Sequence, residues 1–451
     1  MSRTWRGYVG LLGVVGLLSG CATYHKAPLS LTPDLKPGLA GLDRHLPGGG
    51  QIPIGQPLTL QELAKLAVLN NPDLKAARAQ RGIAQAELLA SGLPPDPSVS
   101  GGFESLLGGP ASMPALTGGL VEDISSLITY RATRAAARAG AARVNAQTLW
   151  QEWQVAARAE QLGISLAADR GLLASLRAER AVLSAIVHDT TRQVVAGNLT
   201  LKEEAAGLAA LATVEASLDT QAQAQAHDRA QLDALLGLAP DVSVPLAPVH
   251  VTAVPPGIAA QALASLARRR PDLIALRYGY KQADARLRAA ILSQFLPVSL
   301  GVSANRDTSG VVSAGPQVML TLPLFNRNRG NIATARATRA ALAAQFSARL
   351  DGAAGDAKAL LANAAQLRGQ LRAAKAQAAQ AAHIAAQARH AYAAGALSAR
   401  DLASLQSAAA TQARTAMTLT AQWQSAEISL ATLLGIGLPK LAPPHTDHAS
   451  S

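Results

Sequence analysis

The spacing of hydrophobic positions in this chain switches period twice, in the same way each time. Near residue 300, Val298, Leu300, Val302 and Ala304 alternate with Ser299, Gly301, Ser303 and Asn305. After a polar break, Ala314, Pro316, Val318, Leu320 and Leu322 alternate with Gly315, Gln317, Met319 and Thr321. A period of two sends successive side chains to opposite faces of a strand, so the pattern predicts a β-hairpin with its loop at 306–310, closed by Pro323. From about Asn331 the chain is dominated by Ala, Arg, Leu and Gln, all residues of low helical cost, and the next proline is Pro439. A polar elbow at 326–330, with Pro323, Phe325, Asn326 and Gly330 as its corner residues, thus joins a strand to a very long helix.

An earlier copy of this pattern precedes it. Pro72 in NPDL and Pro271 in RPDL lie 199 residues apart, Pro97 and Pro297 200 apart, and Gly197 in AGNLT and Gly395 in AGALS 198 apart. LLGL from Leu235 and LLGI from Leu433 keep the same interval of 198. Such a period is far too long for a solenoid and predicts two halves of one architecture. In the first half, LTLQELAKLAVLNN places Leu60, Leu63, Leu66, Ala67 and Val68 on a helical stripe, with Thr59 as N-cap and Glu62 three residues on. This helix is expected to break or kink at Pro72 and to end near Leu93, before two strands within 98–124 around a loop at 107–114.

Proline placement decides the class. Of 24 prolines none falls between Ala115 and Ala239, or between Leu324 and Leu438. Ordinary helices run to about 11–12 residues, so each tract predicts a long helix, a turn at Gly197 or Gly395, and a return helix. The 64 residues from Asn331 to Ala394 would extend roughly 95 Å at ~1.5 Å per residue. In the second return helix, Leu402, Leu405, Ala409, Gln412, Ala416, Leu419, Trp423, Ala426, Leu430 and Leu433 recur three and four apart, as a heptad seam or the core stripe of an amphipathic helix does. The first half is less regular there, with Gln221, Gln225 and Asp228 at equivalent positions. At the turns, Thr200 and Ser398 are predicted N-caps, with Glu203 and Asp401 three residues on and Leu199 and Leu397 on exposed tips.

Residues 1–20 carry Arg3 and Arg6 and an apolar run from Tyr8 to Leu18 without an acidic residue, the pattern of a secretory signal. Leu18-Ser19-Gly20-Cys21 resembles a bacterial lipobox, and Cys21 is the only cysteine of the 451 residues. Cys21 is therefore the expected lipid attachment point, the alternative being a small residue near an ordinary cleavage site. Ala22 stands where an Asp would favour inner-membrane retention, which makes the outer membrane the better address.

The net charge of +12 falls to +10 without the signal, because 39 Lys+Arg then face 29 Asp+Glu. An exported lipoprotein with 3% aromatics is no candidate for nucleic acid. The basic run 268–270 reads as a solvated helix boundary. No HExxH, GxxxxGK[ST] or GxSxG occurs, so no enzyme, cofactor or metal site is expected. His383 and His390 read as solvated helix positions, and His445 and His448 fall in a tail. Four strands cannot close a membrane barrel, which takes at least about eight. Exposed strand edges do not persist in hydrocarbon, so several chains must share one barrel.

This layout resembles the TolC-like outer-membrane factor family from Leu58 to Gly437. The resemblance is carried by LTLQELAKLAVLNNPDLKAARA, PLFNRNRGNIATARA, AGNLTLKE and AGALSARD. PLFNRNRG is similar to the branch paired with heavy-metal RND exporters of the cobalt, zinc and cadmium type; the first half has EDISSLITYRATRA at the corresponding place. The resemblance implies a homotrimer with a twelve-stranded β-barrel in outer-membrane lipid and an α-helical barrel in the periplasm. It also implies docking of the tips at Gly197, Leu199, Thr200, Glu203, Gly395, Leu397, Ser398 and Asp401 on a periplasmic adaptor, and through it an inner-membrane RND pump. Heavy-metal cations are then the expected cargo, with organic compounds as the alternative within the family. A periplasmic coiled-coil scaffold without a pore is the alternative outside it. The expected organisation is signal 1–20, lipidated arm 21–57, repeats 58–238 and 258–437, a linker 239–257 and a disordered tail 438–451.

Overall fold

The computed structural model describes residues 24–46, 49–105, 107–108, 113–295, 298–322 and 324–437. Residues 24–35 are a unit of their own, an exposed irregular segment in which the Ser30 hydroxyl donates to the Thr32 carbonyl at 3.1 Å. The second unit starts at Lys36. Its first half runs α1 (Leu60–Asn70), α2 (Pro72–Ala90), β1 (Ser98–Glu104), β2 (Ala115–Asp123), α3 (Ser125–Val195) and α4 (Leu201–Leu236). The second half runs α5 (Pro256–Ala264), α6 (Leu266–Arg269), α7 (Pro271–Leu292), β3 (Val298–Arg306), β4 (Val312–Leu320), α8 (Arg329–Ala393) and α9 (Ala399–Leu434).

Local chemistry sets these boundaries. Thr59 and Glu62 form a reciprocal capping box at the start of α1. Pro72 restarts a helix instead of kinking one: the Asn71 side chain accepts from the Leu74 N–H at 3.0 Å and Pro72 occupies the first turn, where its missing N–H costs nothing. Without internal prolines α3 reaches 71 residues and α8 65, roughly 105 and 97 Å at ~1.5 Å per residue. Gly237 and Gly435 end α4 and α9 in left-handed geometry, with φ of 70° and 73°.

The duplication extends into the cores. Leu232 and Leu236 of α4 are buried with Leu58, Leu63, Leu66 and Leu162, and their counterparts Leu430 and Leu434 of α9 with Leu266, Leu273 and Ala357. A Cβ on Gly163 would come within 2.7 Å of Leu60, so the glycine lets α1 lie directly on α3. From Lys36 onward the arm packs into the first core through Leu42 and Ile52, and Leu58 bonds the 245–247 backbone in both directions. The long helices share partners along their length: α3 packs first on α2 and α7, then on α4 and α9, and α8 on α7, then α9. Every member of the α9 seam is buried or half-buried.

The run 268–270 corrects the sequence reading. Arg268 and Arg269 are exposed, but Arg270 is 3% exposed, forked onto both Asp272 oxygens at 3.0 and 2.8 Å, with its guanidinium 4.8 Å from the centre of the Trp150 ring. Arg349 takes Asp272 from the other side at 2.8 Å. Burial opposes ionisation of Asp272, but the two arginines outweigh it and hold the carboxyl below its ordinary range.

Candidate functional site

The four strands form one antiparallel sheet in the order β1-β2-β3-β4. Residues directly opposite in such a ladder share a face, so the register sorts every side chain. One row is Val99, Leu120, Val302 and Pro316; the next are Gly101, Gly118, Ala304 and Ala314, then Phe103, Leu116, Arg306 and Val312. Leu300 and Val318 follow on the same side, with Glu122 at its border. The other face carries Ser100, Gly119, Ser303 and Gly315 in one row and Gly102, Thr117, Asn305 and Ser313 in the next. One face is thus an apolar band and the other is mostly small and polar, with Val121 and Met319 as its apolar exceptions, and both are largely exposed on a single chain. Among the described residues the outer edges of β1 and β4 have no partner strand. No helix among the described residues is long and apolar enough to cross a membrane.

Two different corners lead from the sheet into the long helices. Between β2 and α3 the chain stays in ordinary geometry: Asp123 accepts from the Ser125 N–H at 2.9 Å, and Ile124 is already α-helical. Between β4 and α8 it needs two left-handed residues, Arg327 and Asn328, with φ of 46° and 55°. The Asn328 side chain donates to the Ala290 carbonyl at the end of α7, 2.7 Å away, and accepts from Asn331. The sequence placed the elbow across 326–330, and both left-handed residues fall inside that span. In the structure the Asn326 carbonyl accepts from Arg329, but Gly330 already lies in the first turn of α8 without unusual φ, and β4 ends before Leu322. The asparagines in NRN were the available signal, since Asn tolerates left-handed geometry better than other non-glycine residues. Phe325 is 94% exposed beside the sheet; Pro323, like Cys21, His445 and His448, lies outside the described residues.

The two hairpin tips repeat one construction. Gly197 and Gly395 are left-handed, with φ of 77° and 73°, and the next residue closes a six-residue loop, Asn198 N–H to the Gln193 carbonyl at 2.8 Å and Ala396 N–H to Ala391 at 2.9 Å. Glu203 receives the Thr200 N–H and hydroxyl at 2.8 and 3.0 Å. At the second tip the Ser398 hydroxyl accepts from the Asp401 N–H at 3.1 Å and donates to its carboxylate at 2.7 Å. The Thr200 backbone, then its hydroxyl, hold the Glu203 carboxyl below its ordinary range, and Arg400 of the other tip adds to this. Just past the second tip, Ala403 packs against Leu176, Leu183 and Val214 of the first hairpin, so the two hairpins lie side by side there. Leu199 is exposed as expected, whereas Leu397 is half-buried, and Val195 and Leu201 are the more exposed apolar residues there. His383 and His390 are exposed on α8. Among the described residues no group of three or more His, Cys, Asp or Glu is placed to hold a metal ion.

Residues 261–436 match the family described as Outer membrane efflux protein. No curated protein matches the chain. Among solved structures, a membrane protein from Pseudomonas aeruginosa is 19% identical over 92% of this chain and 97% of its own, with a TM-score of 0.71. CusC, solved in a study of folding and transmembrane channel formation, is 18% identical over 91% and 100%, with a TM-score of 0.68. The Campylobacter jejuni CmeC outer membrane channel is 16% identical over 94% and 96%, also at 0.68. The chain therefore has the fold of these outer-membrane channels in both halves, and its second half carries the sequence pattern of the outer membrane efflux protein family.

Proposed function

We propose that this chain is the outer-membrane channel of a tripartite efflux system, a passive trimeric duct without enzymatic activity. The observation that carries this is the sheet: one apolar face, one small polar face and two unpaired edges, continuous with long helices. A closed barrel satisfies such edges in hydrocarbon, and four strands are too few to close. Two chains would give eight strands, whose interior is filled by side chains, whereas three give twelve and an open bore. First-half elements (β1, α2, α4) lie toward one side of the layer and second-half elements (β4, α8) toward the other. Contact between unlike edges is head-to-tail and closes as a ring. The apolar face meets lipid, Phe325 sits in the interfacial aromatic girdle at the elbow, and α3, α4, α8 and α9 form the periplasmic tube.

The repeats are placed at 58–238 and 258–437, joined by 239–257, behind a signal at 1–20 and an arm acylated at Cys21. The tips, with Gly197, Leu199, Thr200, Glu203, Gly395, Leu397, Ser398 and Asp401, dock a periplasmic adaptor, and through it an RND pump of the inner membrane. The likeness is spread over several channels at 16–19% identity, which favours a general duct for organic compounds. The narrower heavy-metal reading rests on the PLFNRNRG elbow.

Purified protein is expected to run as a heat-modifiable trimer and to give single-channel conductance in planar bilayers. A monomer without conductance would refute the duct and leave a periplasmic scaffold. Cys21→Ser should abolish acyl labelling yet leave trimer, because the closed barrel holds the membrane. Gly395→Pro or Leu397→Asp should leave trimer and conductance but abolish export and cross-linking to the adaptor. Normal export by these variants would remove the docking role.

A further inference from the structure

The first-half return helix is polar where its second-half counterpart is apolar, and the structure shows what that polarity faces. Asp169 of α3 is 8% exposed; Gln221 of α4 donates to its Oδ1 at 2.7 Å, and its Oδ2 has no hydrogen-bond partner. Asp228, one helical face along α4, lies close enough to repel it. Both carboxylates line a cavity of about 560 Å³ together with Asn363 of α8 and Gln422, Ser425 and Ser429 of α9.

Helical geometry fixes which side this cavity is on. Arg170 reaches the Val244 carbonyl, and Glu427 receives the Val254 N–H, so the connector lies over those faces of α3 and α9. Ser165, Ala168 and Leu172, and likewise Thr418, Gln422, Ser425 and Ser429, sit roughly 140–180° around the helices from those contacts at 3.6 residues per turn, and Asp169 about 100° from Arg170, on the flank of the cavity where Gln221 of α4 meets it. A bore has no room for the connector, so the cavity opens on the bore side; this placement rests on the duct reading.

We propose that Asp169 and Asp228 hold a hydrated divalent cation on the inner wall of the duct. A buried carboxylate with one unpartnered oxygen, facing a second carboxylate, requires positive charge, and among the residues lining the cavity these two are the charged ones. The lining offers carboxylate, amide and hydroxyl oxygens and neither thiol nor imidazole, which selects a hard cation. Mg²⁺ binds through one or two carboxylates while keeping its waters, and the amides and hydroxyls are suited to accept hydrogen bonds from those waters. Gln221 orients Asp169 from outside the coordination sphere.

The test uses the full-length trimer, stripped with EDTA and titrated with Mn²⁺ followed by electron paramagnetic resonance, with Mg²⁺ and Ca²⁺ as competitors. One competable Mn²⁺ per protomer is expected, lost in Asp169→Asn and Asp228→Asn, and bound about tenfold or more weakly in Gln221→Leu. The thermal midpoint of the wild type should rise saturably with Mg²⁺ above a matched NaCl control, and that of the Asn variants should not. Mn²⁺ binding unchanged by the substitutions, or a wild type that responds to pH but not to divalent cations, overturns the proposal. Planar-bilayer conductance of the same preparations separates the two readings: conduction without cation binding defeats the site alone, and cation binding without conduction defeats the duct alone.

Discussion

Val302→Arg separates the two faces of the sheet most sharply. Val302 is the middle residue of the nine in β3, opposite Leu120 and Pro316 on the apolar face. An arginine at the midplane of a membrane barrel costs about 2–4 kcal/mol, against about 0–1 near the interfaces, so insertion should fall roughly 30- to 700-fold per chain. Three chains in one ring compound the loss. The native Arg306 lies on the same face but ends the strand, where that cost is small. Ser303, one residue on, stands between Gly119 and Gly315 on the other face, where an arginine meets the water of the bore. Heat-modifiable trimer in the outer-membrane fraction, quantified by blotting, should collapse for Val302→Arg and persist for Ser303→Arg. Equal losses would show that the two faces do not meet different solvents, and the barrel argument would fail.

Arg270→Met leaves Asp272 buried with Arg349 alone and should destabilise the purified protein by about 3–5 kcal/mol in urea unfolding, whereas Arg268→Met should stay within about 0.5 kcal/mol. Gly197→Ala and Gly395→Ala meet no atom within 4 Å, so each should cost only the strain of left-handed geometry, about 1–2 kcal/mol by the same assay, with Asn costing less. Burial pushes Glu160 up to about 7 and, with Asp228, pushes Asp169 up to about 6. Both groups hold protons more tightly folded than unfolded, so in EDTA stability should fall as pH rises from about 4 to 7 and then level off. Glu160→Gln should flatten the upper part of that profile in thermal unfolding.

The elements legible in the sequence were those with periodic chemistry. Alternation marked the hairpins, proline-free tracts marked α3 and α8, and Thr59, Gly197, Gly395 and Ser398 marked caps that local bonds alone determine. What escaped depends on partners distant in sequence. Arg270 reads like its exposed neighbours Arg268 and Arg269 until Trp150 is folded against it and Arg349 against its partner Asp272. Gln221 and Asp228 read as defects in a seam until Asp169, on another helix, gives them a role. The elbow was legible as the span 326–330, but not which residues turn it, because the left-handed pair Arg327 and Asn328 is held by the Ala290 carbonyl of a distant helix.

The duplication also specifies the contact between chains. Within one chain β2 pairs with β3; in a ring, β4 must meet β1 of the next copy, and the repeat makes the two seams equivalent. The offset of 199 that relates Pro72 to Pro271 maps Val302 onto Phe103, apolar onto apolar, and the hairpin registers then fix an offset of 200 between β2 and β4, because it carries Val99–Leu120 onto the observed pair Val298–Leu320. The observed pair Leu120–Val302 therefore predicts Leu320 opposite Phe103 of the neighbouring copy. Pro316 supplies an independent check. It pairs with Val302 but has no N–H, so that pair is not hydrogen-bonded and the proline nitrogen faces the open edge. In the predicted register Pro316 falls opposite Leu107, beyond the end of β1, where the missing donor breaks no ladder bond. Residues two apart point the same way, so Leu320 and Phe103 form a hydrogen-bonded pair with Cα atoms about 5.5 Å apart, within disulfide range. Phe103→Cys/Leu320→Cys should therefore give oxidised ladders between chains, whereas Phe103→Cys/Met319→Cys, on opposite faces, should not. Preferential cross-linking of Phe103→Cys to Val318→Cys would shift the seam by two residues and break the equivalence between the halves.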